Sequence, residues 1–139
     1  MMNVNQKYGT QVAADFDFLL WGKLMPVEVH RFKKLFNLRD DLLALTECWV
    51  FSIAMEEGLE CEWVELSDKR VSWQVTKCPI QLRRRQEGLD ELPCKQGLAN
   101  VFENLAAAVN PKIKVAHCFA PPDPHPDNLW CGVTWEMKD

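Results

Sequence analysis

Glu60-Cys61-Glu62-Trp63-Val64-Glu65-Leu66-Ser67-Asp68-Lys69-Arg70-Val71-Ser72-Trp73-Gln74-Val75-Thr76-Lys77 holds two runs in which polar and apolar side chains alternate, joined by four polar residues. A period of two marks strands, and the polar joint marks a hairpin. A two-residue turn at Asp68-Lys69 sets Leu66 against Val71 and Val64 against Trp73 on one face. It sets Glu65 against Ser72 and Cys61 against Thr76 on the other.

On either side of this hairpin the period lengthens to that of a helix. Upstream, Phe16, Leu19, Leu20 and Lys23 predict a helix over Ala13 to Leu24, which Pro26 ends or restarts. Val29, Phe32, Leu35 and Phe36 then stripe a second short helix. Asn37 with Asp40 resembles a capping pair opening a third, in which Leu42, Leu45, Trp49, Val50 and Ile53 share a face. Ala44, Cys48, Phe51 and Met55 make its other side apolar too, so it is either central in the core or half of a homodimer contact, with Gly58 as its stop. Downstream, Pro79 to Glu87 reads as a short helix closed by Gly88. Lys95 to Val109 reads as an amphipathic helix striped by Leu98, Val101, Phe102, Leu105, Ala106 and Val109. Two alternating segments follow, Lys112 to Phe119 and Leu129 to Met137, joined by the proline-rich stretch Ala120 to Asn128.

This order predicts an α+β fold, with helices packed on one face of a four-stranded antiparallel sheet. One domain is expected over residues 1–139: a helical part (1–58), then the hairpin, two helices and two strands carrying most of the cysteines (59–139). Among 139 residues, 47% are hydrophobic and 26% charged, which excludes disorder throughout, and a net charge of −4 gives no support to nucleic acid binding or to adhesion to anionic membranes. The stretch Leu42 to Met55 is too short to span a bilayer, and Met1 to Gln11 has no signal-peptide pattern. A cytoplasmic protein with reduced thiols is expected.

Four of the six cysteines, Cys78, Cys94, Cys118 and Cys131, fall at predicted strand ends or helix starts, which converge easily in space. Their spacing is not that of a zinc knuckle, and free cysteine is also a common core residue. Cys94 precedes a helix whose first amides are expected to lower its pKa, which makes it the candidate nucleophile. Regular pairing of the last two strands sets His117 opposite Cys131 under the helices, as base for Cys94 or as zinc ligand, and turns Cys118 away, so a four-cysteine site demands an irregular strand. Asp123, His125 and Asp127 in the stiff loop are able to wall or ligate a ligand, or merely to form an exposed turn. The run Arg83-Arg84-Arg85 reads as a solvated face or, through Arg84, as a clamp on an anionic ligand. Trp63 and Trp130 lie off the core stripes and suit a pocket or a subunit contact.

Val75-Thr76-Lys77-Cys78-Pro79, then Gly88, then Leu92-Pro93-Cys94 and finally Cys131 resemble the aminothiazoline-carboxylate hydrolase-like family over roughly residues 60 to 139. More distantly the chain is similar to vinyl-reductase-type small-molecule-binding domains. The resemblance implies an α+β fold with Cys78, Cys94 and Cys131 as site positions. In the hydrolase branch acidic residues tend to lie three positions beyond the second cysteine and directly after the last, where this chain has Gly97 and Gly132. The leading expectation is a module binding Zn²⁺ or a small molecule at Cys78, Cys94 and Cys131, with His117 or Cys118 as fourth group. The alternatives are a thiol hydrolase of a small cyclic amide or thioimidate and a non-catalytic dimeric protein.

Overall fold

The computed structural model describes residues 2–55 and 58–139. Helices α1 (Met2–Tyr8), α2 (Thr10–Phe36) and α3 (Leu42–Phe51) precede strands β1 (Glu60–Leu66) and β2 (Arg70–Lys77). Helices α4 (Pro79–Gln86) and α5 (Lys95–Val109) follow, then β3 (Ile113–Phe119) and β4 (Cys131–Met137). The four strands form one antiparallel sheet in the order β1-β2-β4-β3, with helices packed on it, as the α+β reading expects.

Pro26 does not break the first helix, and α2 runs 27 residues through it. Proline lacks the N–H that the carbonyl four residues back would accept. That carbonyl belongs to Gly22, and the Asn104 side-chain amide of α5 donates to it at 3.1 Å. Gly22 has no side chain to block the approach, since a Cβ there would lie 3.2 Å from Asn104 Nδ2. Nor does Asn37 open α3. It ends α2 in a left-handed conformation (φ 52°), and Asp41 caps α3 by accepting from the Ala44 N–H at 2.9 Å. Helix α3 stops at Phe51, well before Gly58, because Glu28 of α2 takes the Ser52 hydroxyl at 2.6 Å and the Ile53 N–H at 3.3 Å.

The hairpin turns at Asp68-Lys69, with Ser67 N–H donating to Arg70 O at 2.9 Å, and keeps Leu66 opposite Val71 and Glu65 opposite Ser72. Val64 is then an extra residue. Trp63, not Val64, faces Trp73, and Cys61 faces Val75 rather than Thr76, so both turn towards the helices while Val64 stands exposed. Beneath the helices, Trp49 meets Trp73 and Phe102 edge-on at 5.2 and 5.3 Å, and Phe102 meets Trp135 at 5.4 Å. Each such contact contributes about 0.5–1.5 kcal/mol beyond the area it buries. The other face of the sheet carries Glu62, Ser72, Gln74, Thr134 and Glu136.

Candidate functional site

Where β2 ends and β4 begins, the sheet is overhung by α2, α4 and the first turn of α5, leaving an apolar recess of about 110 Å³. Cys78, Cys94 and Cys131 all line it. Cys78 follows β2 and precedes Pro79 at the start of α4, Cys94 precedes α5, and Cys131 opens β4 opposite Val75. The Trp130 N–H donates to Val75 O at 2.9 Å, which fixes where β4 begins. Five aromatic side chains complete much of the wall: Phe18 and Trp21 from α2, Trp49 from α3, Trp73 from β2, and Trp130.

Polar groups at the recess are mostly engaged. Gln81, 1% exposed, receives the Leu92 N–H at 2.9 Å and donates to Leu92 O at 3.0 Å and to Cys94 Sγ at 3.3 Å, pinning the loop before α5. Asp17 takes a hydrogen bond from Trp21. Burial nevertheless raises its carboxyl above the ordinary value, outweighing that bond. Trp49 differs. Among the described residues, its Nε1 is the one buried side-chain nitrogen or oxygen with no hydrogen-bond partner. An orphaned donor of this kind costs about 1–3 kcal/mol.

Burial also decides the state of the thiols. It pushes Cys94 up to about 12, with the neighbouring Cys78 adding to the rise and the Gln81 hydrogen bond opposing it. It holds Cys131 well above the usual 9.0, again with Cys78, Cys94 and Cys118 adding to the rise. The lowering of Cys94 expected from the amides of α5 is therefore overturned: desolvation of a thiolate in apolar surroundings outweighs the helix end. At neutral pH both are protonated.

The other candidates stand elsewhere. In β3, Ala116 is an extra residue, so His117 pairs with Thr134, not Cys131, and Cys118 pairs with Val133. The bulge exchanges their faces. Cys118 turns under the helices, where burial raises it to about 11, and His117 is exposed beside Phe119. Neither lines the recess, so Cys94 and His117 do not form the expected nucleophile and base. Of the expected Zn²⁺ set, Cys78, Cys94 and Cys131 share the recess and Cys118 lies outside it, and among the described residues no group of three or more His, Cys, Asp or Glu side chains is arranged to hold a metal ion.

Arg84 and His125 also lie outside the recess. Arg84 is 8% exposed and donates to Asp90 O at 2.7 Å and Thr10 Oγ1 at 3.2 Å, which makes it a tie between α4 and α2. Arg83 pairs with Glu87, while Arg85 pairs with Glu91 at 2.8 Å and Asp127 at 3.0 Å and covers the Trp130 ring at 4.5 Å. His125 packs on the same indole at 5.1 Å and reaches Glu91 at 3.1 Å. Burial disfavours its charged form, but the Pro126 carbonyl and Glu91 outweigh burial and raise its pKa above 6.5. Asp123 pairs with Lys95 at 2.7 Å. Trp130 is thus the wall between the recess and an ion-paired surface, while Arg84 and His125 brace the structure around it.

Reading the sequence alone misses Trp49, Phe18, Trp21, Asp17 and Gln81 as wall residues. Trp49 reads as part of a helix stripe, and a stripe does not reveal where packing leaves space. Gly97 and Gly132 now have a physical account. A Cβ at Gly97 would lie 2.1 Å from Phe18 Cγ, and one at Gly132 would lie 2.6 Å from Phe119 Cε1. Acidic residues at those positions would displace both rings.

No helix among the described residues is long and apolar enough to cross a membrane. The profile of a family of unknown function, DUF6125, matches residues 1–138, and the chain belongs to that family. No curated protein and no solved structure matches it.

Proposed function

For this member of DUF6125, we propose a small-molecule-binding module whose ligand occupies the recess at Cys78, Cys94 and Cys131. The observation that carries this reading is an apolar recess of about 110 Å³, walled by aromatic rings and thiols. Ligand sites are typically concave, apolar and supplied with few polar groups. Filling the space recovers packing at about 24 cal/mol per Å³, up to about 2–3 kcal/mol here. Thiols kept protonated at neutral pH favour binding over nucleophilic attack, and a histidine outside the recess favours it further.

Benzene, which occupies dry cavities of similar size, is a suitable probe. Titration followed by NMR is expected to give a Kd of about 1 mM, and Leu98→Phe, which fills the recess from α5, is expected to weaken binding at least tenfold while the variant stays folded. No binding by the wild-type protein, or equal binding by the folded variant, overturns the proposal.

A second reading, a homodimer through α3, is favoured by one observation. Leu43, Val50 and Phe51 on α3 are 49–61% exposed, and with Trp63 and Leu66 they border an open groove. Light scattering tests it: a mass of twice the chain at micromolar concentration supports the dimer, and a monomer throughout overturns it.

A further inference from the structure

We propose that the recess takes a planar, uncharged aromatic molecule carrying one hydrogen-bond acceptor, and that the Trp49 indole N–H holds that acceptor. This rests on the recess being a binding site and adds the chemical class of its ligand. Trp49 is 3% exposed and lines the recess, and its Nε1 has no partner. The neighbouring core indole of Trp135 donates to Phe102 O at 3.3 Å, and Trp21 donates to Asp17, so an orphaned indole is not the habit of this interior. Edge-on contacts with Trp73 and Phe102 fix the plane of Trp49, so the donor's place is set before any ligand arrives.

The remaining walls narrow the ligand further. Gln81 already gives its side-chain N–H groups to Leu92 O and Cys94 Sγ and receives the Leu92 N–H, which makes the indole the donor in waiting. Asp17 on the wall opposes an anion, and the apolar walls penalise any ion that must shed its hydration to enter. Aromatic rings on several sides favour a flat π-system over a branched alkyl group. A ring nitrogen or an aryl carbonyl meets these requirements, whereas a carboxylate or an ammonium does not.

Benzene and pyridine are nearly equal in size and differ by one acceptor, and pyridine is uncharged at neutral pH. With the full chain labelled with nitrogen-15, the six tryptophans give six indole N–H signals, and Trp49→Phe identifies one of them. Pyridine is expected to move the Trp49 signal downfield and benzene to leave it nearly in place. The affinity ratio of pyridine to benzene is expected to fall about tenfold in Trp49→Phe. Should Trp49→Phe not fold, one indole proton of six moving downfield with pyridine alone still supports the proposal, and none moving overturns it. An unchanged ratio, or tetramethylammonium binding more tightly than pyridine, overturns this inference while leaving the recess a binding site. Failure of benzene and pyridine alike overturns the binding site and the inference together.

Discussion

At the Cys131 end of the sheet, apolar side chains face one another across a recess roofed by α2 and α5. At the hairpin end, Leu43, Val50, Phe51 and Leu66 face solvent at 49–62% exposure. The first end is concave, and its loops are pinned by Gln81, Lys95 and Arg85. The second has a two-residue turn and an edge strand bulged at Val64. Enclosed apolar volume suits a small molecule, whereas open apolar area is satisfied only by another macromolecular surface. The difference between the two ends is therefore a difference in the size of partner each can accept.

The largest expected effect comes from disturbing the roof. Gly97→Asp drives a side chain into Phe18 and sets a carboxylate at the crossing of α2 and α5, and it is expected to cost about 3 kcal/mol or more in urea unfolding. A polar change of the same kind at Leu66, 62% exposed, is expected to stay within about 0.5 kcal/mol. Equal losses at the two sites would erase the distinction between the ends. Gln81→Ala leaves the Leu92 N–H and carbonyl unpaired in a buried place, and a loss of about 2 kcal/mol is expected, together with faster amide exchange confined to residues 88–95. Exchange that accelerates equally in the hairpin would show that Gln81 supports the whole fold and not this end.

At neutral pH the smallest effect is expected at Cys94, whose contribution changes only as the pH is raised. Cys94 has its folded pKa raised from 9.0 to about 12, so its contribution is fully present below pH 9 and is lost as pH rises through 12. In that window the unfolded chain releases a proton that the folded chain keeps, and stability is expected to fall by up to about 1.4 kcal/mol per pH unit for such a thiol. Cys94→Ala is expected to flatten that slope in urea midpoints measured from pH 8 upward. At neutral pH iodoacetamide is expected to label Cys94 and Cys131 slowly in the folded protein. Rapid labelling of Cys94 would return it to the role of nucleophile.

The hairpin turn, the stripe of α5 and the meeting of Cys78, Cys94 and Cys131 follow from local features: a polar joint between alternating runs, helical spacing, and cysteines at the ends of elements. The misreadings share another cause. Single-residue bulges at Val64 and Ala116 leave no mark in the alternation pattern, yet each exchanges the faces of the residues beyond it, carrying Trp63 and Cys118 inward and His117 outward. Pro26 misleads because the group that compensates for it, Asn104, lies 78 residues away. Arg84 reads as part of a solvated helix face, and only the fold of the loop from Gly88 to Leu92 buries it, together with Gln81. Long-range pairing, rather than propensity, governs what the sequence conceals.

The bond from Asn104 to the Gly22 carbonyl also orders events in time. While the chain is being synthesised, the segment holding Gly22 and Pro26 emerges with that carbonyl served by water, and its two halves are free to bend at the proline. A straight rod becomes the favoured form once residue 104 has emerged and α5 has docked. Completion of the N-terminal half therefore waits on a residue from the C-terminal half, and a nascent chain stalled before Asn104 would carry two hinged half-helices in place of α2.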